Sequence, residues 1–381
     1  MSETIYLDYQ ATTPLDSEVF EKMKPFFLTK YGNPHSNFHQ YGTDASEGVE
    51  YARNQIAESI NARPEEIIFC SGATEANNLA ILKLHSSVSN CTSIITAETE
   101  HKCILESCDS LSKLIPIVKL KVKKNGLLDL NLLEEHLKRG KALVSIMLVN
   151  NETGVIQNLR QISEIVHKYH SILHTDAAQG FGKIPIDVND LGIDAMSLSA
   201  HKFYGPKGVG AFYVNSELKN ILQPLIHGGG QEYKIRSGTV PTPLVVGMGE
   251  AAAQIIKYLD QNNRQALECR NHFHEIMHQS IENMEINGCE NQRIDHNLNI
   301  RIPNVEAEKL IINTPGVAFS SGSACTSGEI QSSHVLRSMG LSDQEARESF
   351  RISFSHLTTR ENASKAAEQI VKSAKKILKY E

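Results

Sequence analysis

Lys202 lies in the segment Ser199-Ala-His-Lys202, between two apolar runs that are typical of buried strands. A buried ammonium group without a partner is costly, so a lysine in such a place tends to lose its proton or to form a covalent bond. This favours a Schiff base between Lys202 and an aldehyde cofactor, with Ser199 and His201 as phosphate donors. A lone lysine after a strand is more often a solvated charge, so the prediction depends on its neighbours.

Polar side chains that follow other strand-like runs fit the same chemistry. Asp176 could pair with a protonated pyridine nitrogen, and Gln179 could reach the hydroxyl group of the same ring. His101 could stack on that ring or move a proton near neutral pH. Asn151 belongs to a further polar cluster after a strand. Each has a structural alternative: Asp176 as a helix N-cap, His101 as a helix-start residue and Asn151 as a turn residue.

Two segments suit a phosphate group. Ser71-Gly-Ala-Thr74 follows a strand and opens a helix, where free N–H groups and the helix dipole favour an anion near Thr74. The glycine run at 228–230 and the segment Arg236-Ser-Gly-Thr239 could bring Thr239 against a phosphate. Glycine runs are common in plain loops, so the second signal is weak alone.

Cys325 and Arg351 are candidates for contact with a substrate. Cys325 lies within Ser320-Ser-Gly-Ser-Ala-Cys-Thr-Ser-Gly328, a run of small residues that favours a mobile, exposed loop and a thiol that visits two partners. The other six cysteines are interpreted as small core or surface residues, and no C-x-x-C pair predicts a disulfide framework or a zinc site. Arg351 is a fixed cation on a predicted strand and could grip a carboxylate bidentately.

The chain has 381 residues, 40% hydrophobic and 22% charged, which predicts a globular protein with room for a large and a smaller domain. Its net charge of −6 gives no reason to expect nucleic acid or an anionic membrane as a partner. No apolar run approaches the roughly 20 residues of a membrane span, and the first residues do not resemble a targeting peptide. We therefore expect a cytoplasmic protein.

Apolar strands alternate with helical segments between residues 67 and 198, which predicts an α/β domain around a mainly parallel sheet. Functional residues collect beyond the carboxyl ends of such strands, so one shared site is expected for Thr74, His101, Asn151, Asp176 and Lys202. The long helical stretch 242–283 and the short strands after it predict a smaller domain. We expect a large domain at residues 15–260 and a small one formed by residues 1–14 and 261–381.

Together these segments closely resemble the cysteine desulfurases of the NifS/IscS type, among the class V aminotransferases and the fold-type I pyridoxal-phosphate enzymes. The resemblance covers nearly the whole chain, in the order LDYQATTP, YGNPHS, SGATEANN, ETEHK, NNETG, HTDAAQ, SAHKFYGPKG, RSGT and SSGSACTS. It implies a mainly parallel, seven-stranded sheet flanked by helices, a small α+β domain that carries the catalytic cysteine loop, a homodimer, and the cofactor pyridoxal 5′-phosphate.

The resemblance also implies a role for each candidate residue. Lys202 would hold the cofactor covalently, Asp176 would pair with its pyridine nitrogen, and His101 would stack on its ring. Asn151 and Gln179 match positions that contact the cofactor ring. The matches to the phosphate site are Ala73, Thr74, Ser199, His201 and, from the other subunit, Thr239. Cys325 matches the persulfide-forming cysteine, and Arg351 matches the arginine that holds the substrate carboxylate.

The implied reaction converts L-cysteine into L-alanine and leaves a persulfide on Cys325 for a sulfur acceptor, such as an iron–sulfur scaffold protein or a tRNA-thiolation partner. Cys325 could transiently ligate an iron–sulfur cluster, and no other metal site is expected. One alternative is a selenocysteine lyase or another pyridoxal-phosphate lyase or aminotransferase. A non-catalytic sulfur-transfer platform is a second alternative, which the intact candidate residues disfavour.

Three segments depart from the family pattern. Gln231-Glu-Tyr-Lys234 stands where Gln-Glu-Arg-Gly is frequent, Ser355-His356 where Gly-Arg is usual, and Ala200 where many relatives have glycine. The first two are expected to alter loop packing or rate. The sequence stops at Glu381 without the longer tail that many relatives use to dock a scaffold protein, so docking through a tail is not expected.

Overall fold

The structure is a computed structural model that describes residues 4–36, 38–87, 89–321 and 332–379. The strands in chain order are β1 (Ile5–Tyr6), β2 (Ile67–Cys70), β3 (Ser93–Ala97), β4 (Ile117–Leu120), β5 (Ala142–Ser145), β6 (Ile172–Asp176), β7 (Ala195–Ser199), β8 (Gly210–Val214), β9 (Glu285–Ile286), β10 (Asn297–Arg301), β11 (Val317–Ala318), β12 (Ser320–Ser321) and β13 (Ser349–Ser353).

The α-helices in chain order are α1 (Ser17–Leu28), α2 (Gln40–Ser59), α3 (Ala73–Leu79), α4 (His85–Ser87), α5 (Lys102–Leu111), α6 (Leu130–Leu137), α7 (Leu159–Lys168), α8 (Ser216–Lys219), α9 (Thr242–Lys257), α10 (Leu259–Ser280), α11 (Ala307–Ile312), α12 (His334–Ser338), α13 (Asp343–Arg347) and α14 (Arg360–Leu378). A π-helical turn, Ala80–Leu84, joins α3 to α4. Short 3₁₀ turns occur at Pro64–Glu66, Ala200–Lys202 and Glu232–Lys234.

The large sheet has the order β2-β8-β7-β6-β5-β3-β4 among the described residues. Strands β4, β3, β5, β6 and β7 pair in parallel, and β8 runs antiparallel to both of its neighbours. The prediction of a mainly parallel sheet is therefore confirmed. Because the strands from β3 to β7 point the same way, the residues that follow them meet at one edge of the sheet.

Helices cover both faces of this sheet, which explains why its strands are mostly buried and rich in apolar residues. Leu173 of β6 belongs to a core that includes Ile56 of α2 and Val245 of α9. The preceding residue, Ile172, belongs to a second core with Ile104 of α5 on the opposite face. Alternate residues of one strand thus reach different helix layers, as strand geometry requires.

A second sheet has the order β12-β13-β10-β9 and packs against α10 and α14. Its core contains Phe273, Ile300, Phe350 and Ile370, and Leu7 from the start of the chain joins it. Strand β1 pairs in parallel with β11. These contacts support the proposed division into a domain at residues 15–260 and a second domain that combines residues 1–14 with 261–381, which stays a proposal.

The apolar run at 142–149 predicts a single strand, but β5 ends at Ser145. The N–H of Met147 donates to Glu100 Oε1 at 2.7 Å instead of to a neighbouring strand. The helical stretch predicted at 242–283 consists of α9 and α10, which are separated at Tyr258. None of the helices in the described ranges combines the length and the apolar character that crossing a membrane requires.

Candidate active site

A cavity of about 530 Å³ opens at the carboxyl ends of the parallel strands. It brings together most of the candidates from the sequence: Ala73, Thr74, His101, Asn151, Asp176, Gln179, Ser199, His201, Lys202 and Arg351. Thr239 is exposed and does not line this cavity. Cys325 lies outside the described residues. The structure therefore brings most of the candidate residues to one cavity, and their roles remain predictions.

Lys202 is fixed by the first residues of the chain. Its Nζ donates hydrogen bonds to the backbone carbonyl oxygens of Gln10 and Ala11, both at 2.8 Å. The backbone N–H of Thr13 donates to the carbonyl of His201 at 2.9 Å, and the Thr13 hydroxyl donates to the same oxygen at 3.1 Å. The amino-terminal segment thus forms one wall of the cavity and holds the 3₁₀ turn that carries Lys202.

Asp176 ends β6 and is 7% exposed. Its Oδ1 accepts the backbone N–H of Ala178 at 2.9 Å, and its Oδ2 accepts a hydrogen bond from Asn77 Nδ2 at 2.7 Å. Both interactions hold the carboxylate in one orientation at the cavity wall. The N-cap alternative is not observed, since no helix begins in the described segment directly after Asp176, between β6 and β7.

His101 precedes α5 and serves both as its N-cap and as a wall of the cavity. Its Nδ1 accepts the backbone N–H of Cys103 at 3.2 Å and lies 3.0 Å from the Cys103 sulfur atom. Burial lowers the pKa of His101 below its ordinary value; Asp176 opposes this shift, and Lys202 adds to it. The imidazole is therefore neutral at neutral pH.

The end of the cavity next to Ser71–Thr74 is rich in hydrogen-bond donors. Gly72 has φ +156°, and a Cβ added there would lie 3.8 Å from the hydroxyl oxygen of Ser199. His201 Nδ1 lies 3.1 Å from the hydroxyl oxygen of Thr12. Burial, and then Lys202, lowers the pKa of His201 to about 4. This end combines helix-start N–H groups, a hydroxyl and a neutral imidazole, which suits an anion.

Arg351 lies at the boundary between the cavity and the second sheet. Its Nη1 donates to the carbonyl of Asn151 at 2.8 Å, and its Nη2 pairs with Asp8 Oδ1 at 2.6 Å. Within the described residues, Arg351 Nε and Asn151 Oδ1 are buried polar atoms without a hydrogen-bond partner. Buried polar groups are usually satisfied, so these two atoms point to a missing polar ligand.

The sequence pattern of the family described as Aminotransferase class-V matches residues 5–365. A protein named cysteine desulfurase IscS from Rickettsia africae is 46% identical over 370 residues, which are 96% of this chain and 90% of the relative. The chain belongs to the class-V aminotransferase family. This family membership and the 46% sequence identity to a protein named IscS confirm the resemblance to NifS/IscS-type cysteine desulfurases.

Solved structures of this family share the fold over almost the whole chain. A NifS-like protein has a TM-score of 0.91 at 32% identity and covers 99% of this chain and 100% of its own. A structure described as SspA in complex with cysteine has a TM-score of 0.82 at 36% identity, over 93% of this chain and 100% of that one. The predicted fold and enzyme class are thereby confirmed, and the family implies dependence on pyridoxal 5′-phosphate.

The residues of the cavity fit that cofactor. The volume lies within the range of about 300–1,000 Å³ that small-molecule sites occupy. Lys202 offers an amine, Asp176 offers a carboxylate for a pyridinium nitrogen, and Asn151 offers a buried amide oxygen that has no partner in the part of the chain that the structure describes. A Cβ at Gly72 would come into contact with the Ser199 hydroxyl oxygen at 3.8 Å, so a residue with a side chain at this position would narrow the end of the cavity that suits a phosphate group.

Sequence reasoning missed one residue that lines this cavity, Cys103, and one buried lysine next to it, Lys183. Cys103 was interpreted as a core or surface cysteine, but it lines the cavity. Lys183 is 7% exposed and donates to the backbone carbonyl of Gln179 at 3.1 Å. Burial, and then Lys202, lowers the pKa of Lys183 to about 7. The chain forms turns and not a helix between Gln179 and Lys183, so no periodic pattern in the sequence pointed to this contact.

Proposed function

We propose that this cysteine desulfurase takes the sulfur atom of L-cysteine, releases L-alanine and carries the sulfur as a persulfide on Cys325. The proposal rests on one observation above all: an amine, a fixed carboxylate, a neutral imidazole and a buried arginine, from distant parts of the chain, face a single cavity. That set matches a pyridoxal-phosphate site with a place for a substrate carboxylate.

Pyridoxal 5′-phosphate, when bound, supplies an electron sink for the carbon atoms of the amino acid. Lys202 would hold it covalently, and Asp176 would keep its ring nitrogen protonated. Asn151 and Gln179 would contact the ring, and Ala73, Thr74, Ser199 and His201 would bind the phosphate. Gln179 is itself oriented, because its Nε2 donates to the carbonyl of Gln10 at 2.8 Å.

The protein's own residues bind the substrate and move its proton. Arg351 would bind the carboxylate of L-cysteine, with the Nε atom that has no partner among the described residues available for this contact. The Lys202 amine is the base that we assign to the proton on Cα. Positioned acid–base groups of this kind contribute roughly 10²–10⁴-fold to a rate.

Sulfur transfer requires the thiolate of Cys325, because the thiolate is the nucleophilic form. The thiolate attacks the sulfur atom of the substrate, an S–S bond forms, and the Cβ–S bond breaks. Its electron pair stays with Cβ, which is reduced and takes up a proton to become the methyl group of alanine. The two sulfur atoms are oxidised, so cysteine and the enzyme thiol yield alanine and an enzyme persulfide without another reactant.

Mass spectrometry of the protein after incubation with L-cysteine and pyridoxal phosphate tests this assignment. We expect one added sulfur atom on the peptide that contains Cys325, and alanine in equal amount. Cys325→Ser should keep the absorbance of the bound cofactor and lose both products, with Cys289→Ser as the control. Full sulfide release by Cys325→Ser, or a preference for selenocysteine that does not need Cys325, would refute the proposed role.

The acceptor that we propose is an iron–sulfur scaffold protein, and we place the reaction in the cytoplasm. Mixing the sulfur-loaded enzyme with a scaffold protein and iron should transfer the label and form a cluster. Label that stays on the enzyme in the presence of the scaffold, but moves to a tRNA-thiolation protein, would exclude the scaffold as the acceptor.

We also propose that two copies of the chain form the active dimer. Residues 20–41 carry large apolar side chains that are exposed in one chain: Phe20, Phe27, Leu28, Tyr31, Phe38 and Tyr41. A patch of this kind indicates a protein partner, and the exposed Thr239 would then reach the cofactor phosphate of the second copy. Light scattering should give twice the chain mass, and Phe27→Glu with Tyr31→Glu should give monomers. A monomeric native protein would contradict the proposal.

A further inference from the structure

The side chain of Cys103 contacts His101 directly and is linked to Asp176 through Asn77. Its sulfur atom is 3.0 Å from His101 Nδ1 and accepts a hydrogen bond from Asn77 Nδ2 at 3.1 Å. The same Asn77 nitrogen donates to Asp176 Oδ2 at 2.7 Å. A row of side chains therefore joins Asp176 to His101 through Asn77 and Cys103.

The donors in this row can be assigned from chemistry. An ionised carboxylate only accepts, so the amide nitrogen of Asn77 must face Asp176, and its two hydrogen atoms serve Asp176 and Cys103. A backbone N–H only donates, so His101 Nδ1 carries no proton where it accepts from Cys103. The thiol, which already accepts from Asn77, then points its own hydrogen atom at Nδ1.

We propose that Cys103 is a positioning residue whose thiol holds His101 as the neutral tautomer with its proton on Nε2. His101 then presents a fixed N–H donor to the cavity. It is a poor proton acceptor, because protonation of Nδ1 would break two hydrogen bonds. This deepens the proposed function and rests on it, since it specifies what His101 does at the same site.

Charged groups on several elements act on His101. Asp176 on β6 favours the imidazolium, whereas Lys202 after β7 and Lys102 on α5 disfavour it. His334 on α12 also faces it. Asp176 is the only group of these that favours the charged form, and burial outweighs it. The thiol adds to burial in the same direction.

The thiol itself is suited to donate and not to react. Burial, and then the Asp176 carboxylate, raise the pKa of the Cys103 thiol to about 12. Cys103 therefore keeps its hydrogen atom over the whole working range of pH. This separates its role from that of Cys325, which must ionise.

Nitrogen-15 NMR of the holoenzyme labelled in histidine tests the proposal without turnover. Long-range proton–nitrogen spectra distinguish the two tautomers, and His101→Gln identifies the signals of His101. We expect the Nε2–H tautomer in the native enzyme and a protonation midpoint that moves upward in Cys103→Ala. Cys103→Ser, which restores a donor, should return the midpoint towards the native value. Cys108→Ala removes a buried thiol from the same helix and should leave it in place.

If the native enzyme carries the His101 proton on Nδ1, the proposal is wrong. This result does not depend on whether any variant folds. The proposal is also wrong if the Cys103→Ala enzyme titrates like the native one, or if the serine variant behaves like alanine, since the thiol would then act by packing alone. None of these three results would affect the assignment as a desulfurase. Conversely, if mass spectrometry finds no added sulfur on Cys325, the proposed function fails but the tautomer measurement remains valid.

Discussion

Arg351 is held from two sides, by the Asp8 carboxylate and by the carbonyl of Asn151. Its side chain is 5% exposed, so a substrate carboxylate meets a guanidinium group that has already lost most of its water. Hydrogen bonds to charged groups contribute more than neutral ones, and a planar fork makes them directional. A lysine at this place would keep the charge and lose the fork.

For this reason Arg351→Lys should raise KM for L-cysteine by roughly 10- to 100-fold, the value of one charged hydrogen bond, with a smaller change in kcat. Steady-state kinetics of alanine formation measures both constants. Arg301→Lys is the matched control, because Arg301 lies on the adjacent strand β10 and pairs with Glu285, Glu345 and Glu348 outside the cavity. An unchanged KM in Arg351→Lys would place the carboxylate elsewhere.

The sequence identified the residues that follow strands, such as Lys202 and Asp176, because chain order alone puts them at one sheet edge. It could not identify Asp8, whose contact with Arg351 joins positions that are 343 residues apart. It also could not distinguish Cys103 from other cysteines, since burial against His101 and Asn77 depends on how α3 and α5 pack. Local pattern predicts elements, and side-chain contacts between distant elements need the structure.

At the scale of elements, the turn Glu232–Lys234 is held against the edge strand β2 by a buried ion pair. Arg53 Nη2 lies 2.8 Å from Glu232 Oε1, Glu232 Oε2 accepts the N–H of Phe69 at 2.7 Å, and Arg53 Nη1 donates to the carbonyl of Ile67 at 2.7 Å. These contacts satisfy backbone groups of a strand that has no partner on that side in the described sheet. They explain why the turn persists in an unfavourable backbone conformation.

That conformation is left-handed at three consecutive residues, with φ of 43° at Glu232, 58° at Tyr233 and 66° at Lys234. Lys234 stands where the family often has glycine, which adopts this conformation at little cost. Lys234→Gly should therefore raise the free energy of unfolding by roughly 0.5–1 kcal/mol, as measured by urea unfolding. Lys234→Ala removes the same side chain, keeps the Cβ and should give no gain. Equal stabilisation by both substitutions would show that the lysine side chain, and not the backbone, is the cause.

At the scale of the whole molecule, the turn at Glu152, which follows the end of β5, contacts the second sheet. Its backbone carbonyl accepts hydrogen bonds from Asn297 at 3.1 Å and Asn299 at 3.2 Å, both on β10. Its side chain is 2% exposed and accepts the hydroxyl hydrogen of Ser333 at 2.5 Å. Burial raises the pKa of Glu152 to about 7, although Ser333 and Arg351 oppose the shift.

A carboxyl whose pKa is higher in the folded state binds its proton more tightly there. Its contribution to stability is complete below the ordinary glutamate value of 4.5 and is lost as the pH rises to about 7. Glu152→Gln removes this loss, so its stability relative to the native enzyme should increase by on the order of 2 kcal/mol between about pH 5 and pH 8. Urea unfolding across this range is the measurement, and Glu282→Gln, at an exposed position, is the control. A difference that stays constant with pH would contradict the argument.

The amino-terminal wall of the cavity has a practical consequence. Between the β1 pairing with β11 and the contact of Thr13 with His201, the chain has a fixed length, and the two oxygens that hold Lys202 are backbone atoms. Inserting or deleting one residue there would shift them by about 3.3 Å, more than a hydrogen bond tolerates, without altering any reactive group. Loss of activity after proteolysis within residues 4–13 would therefore reflect the loss of the two carbonyl contacts to Lys202, with the cavity side chains from the rest of the chain unchanged.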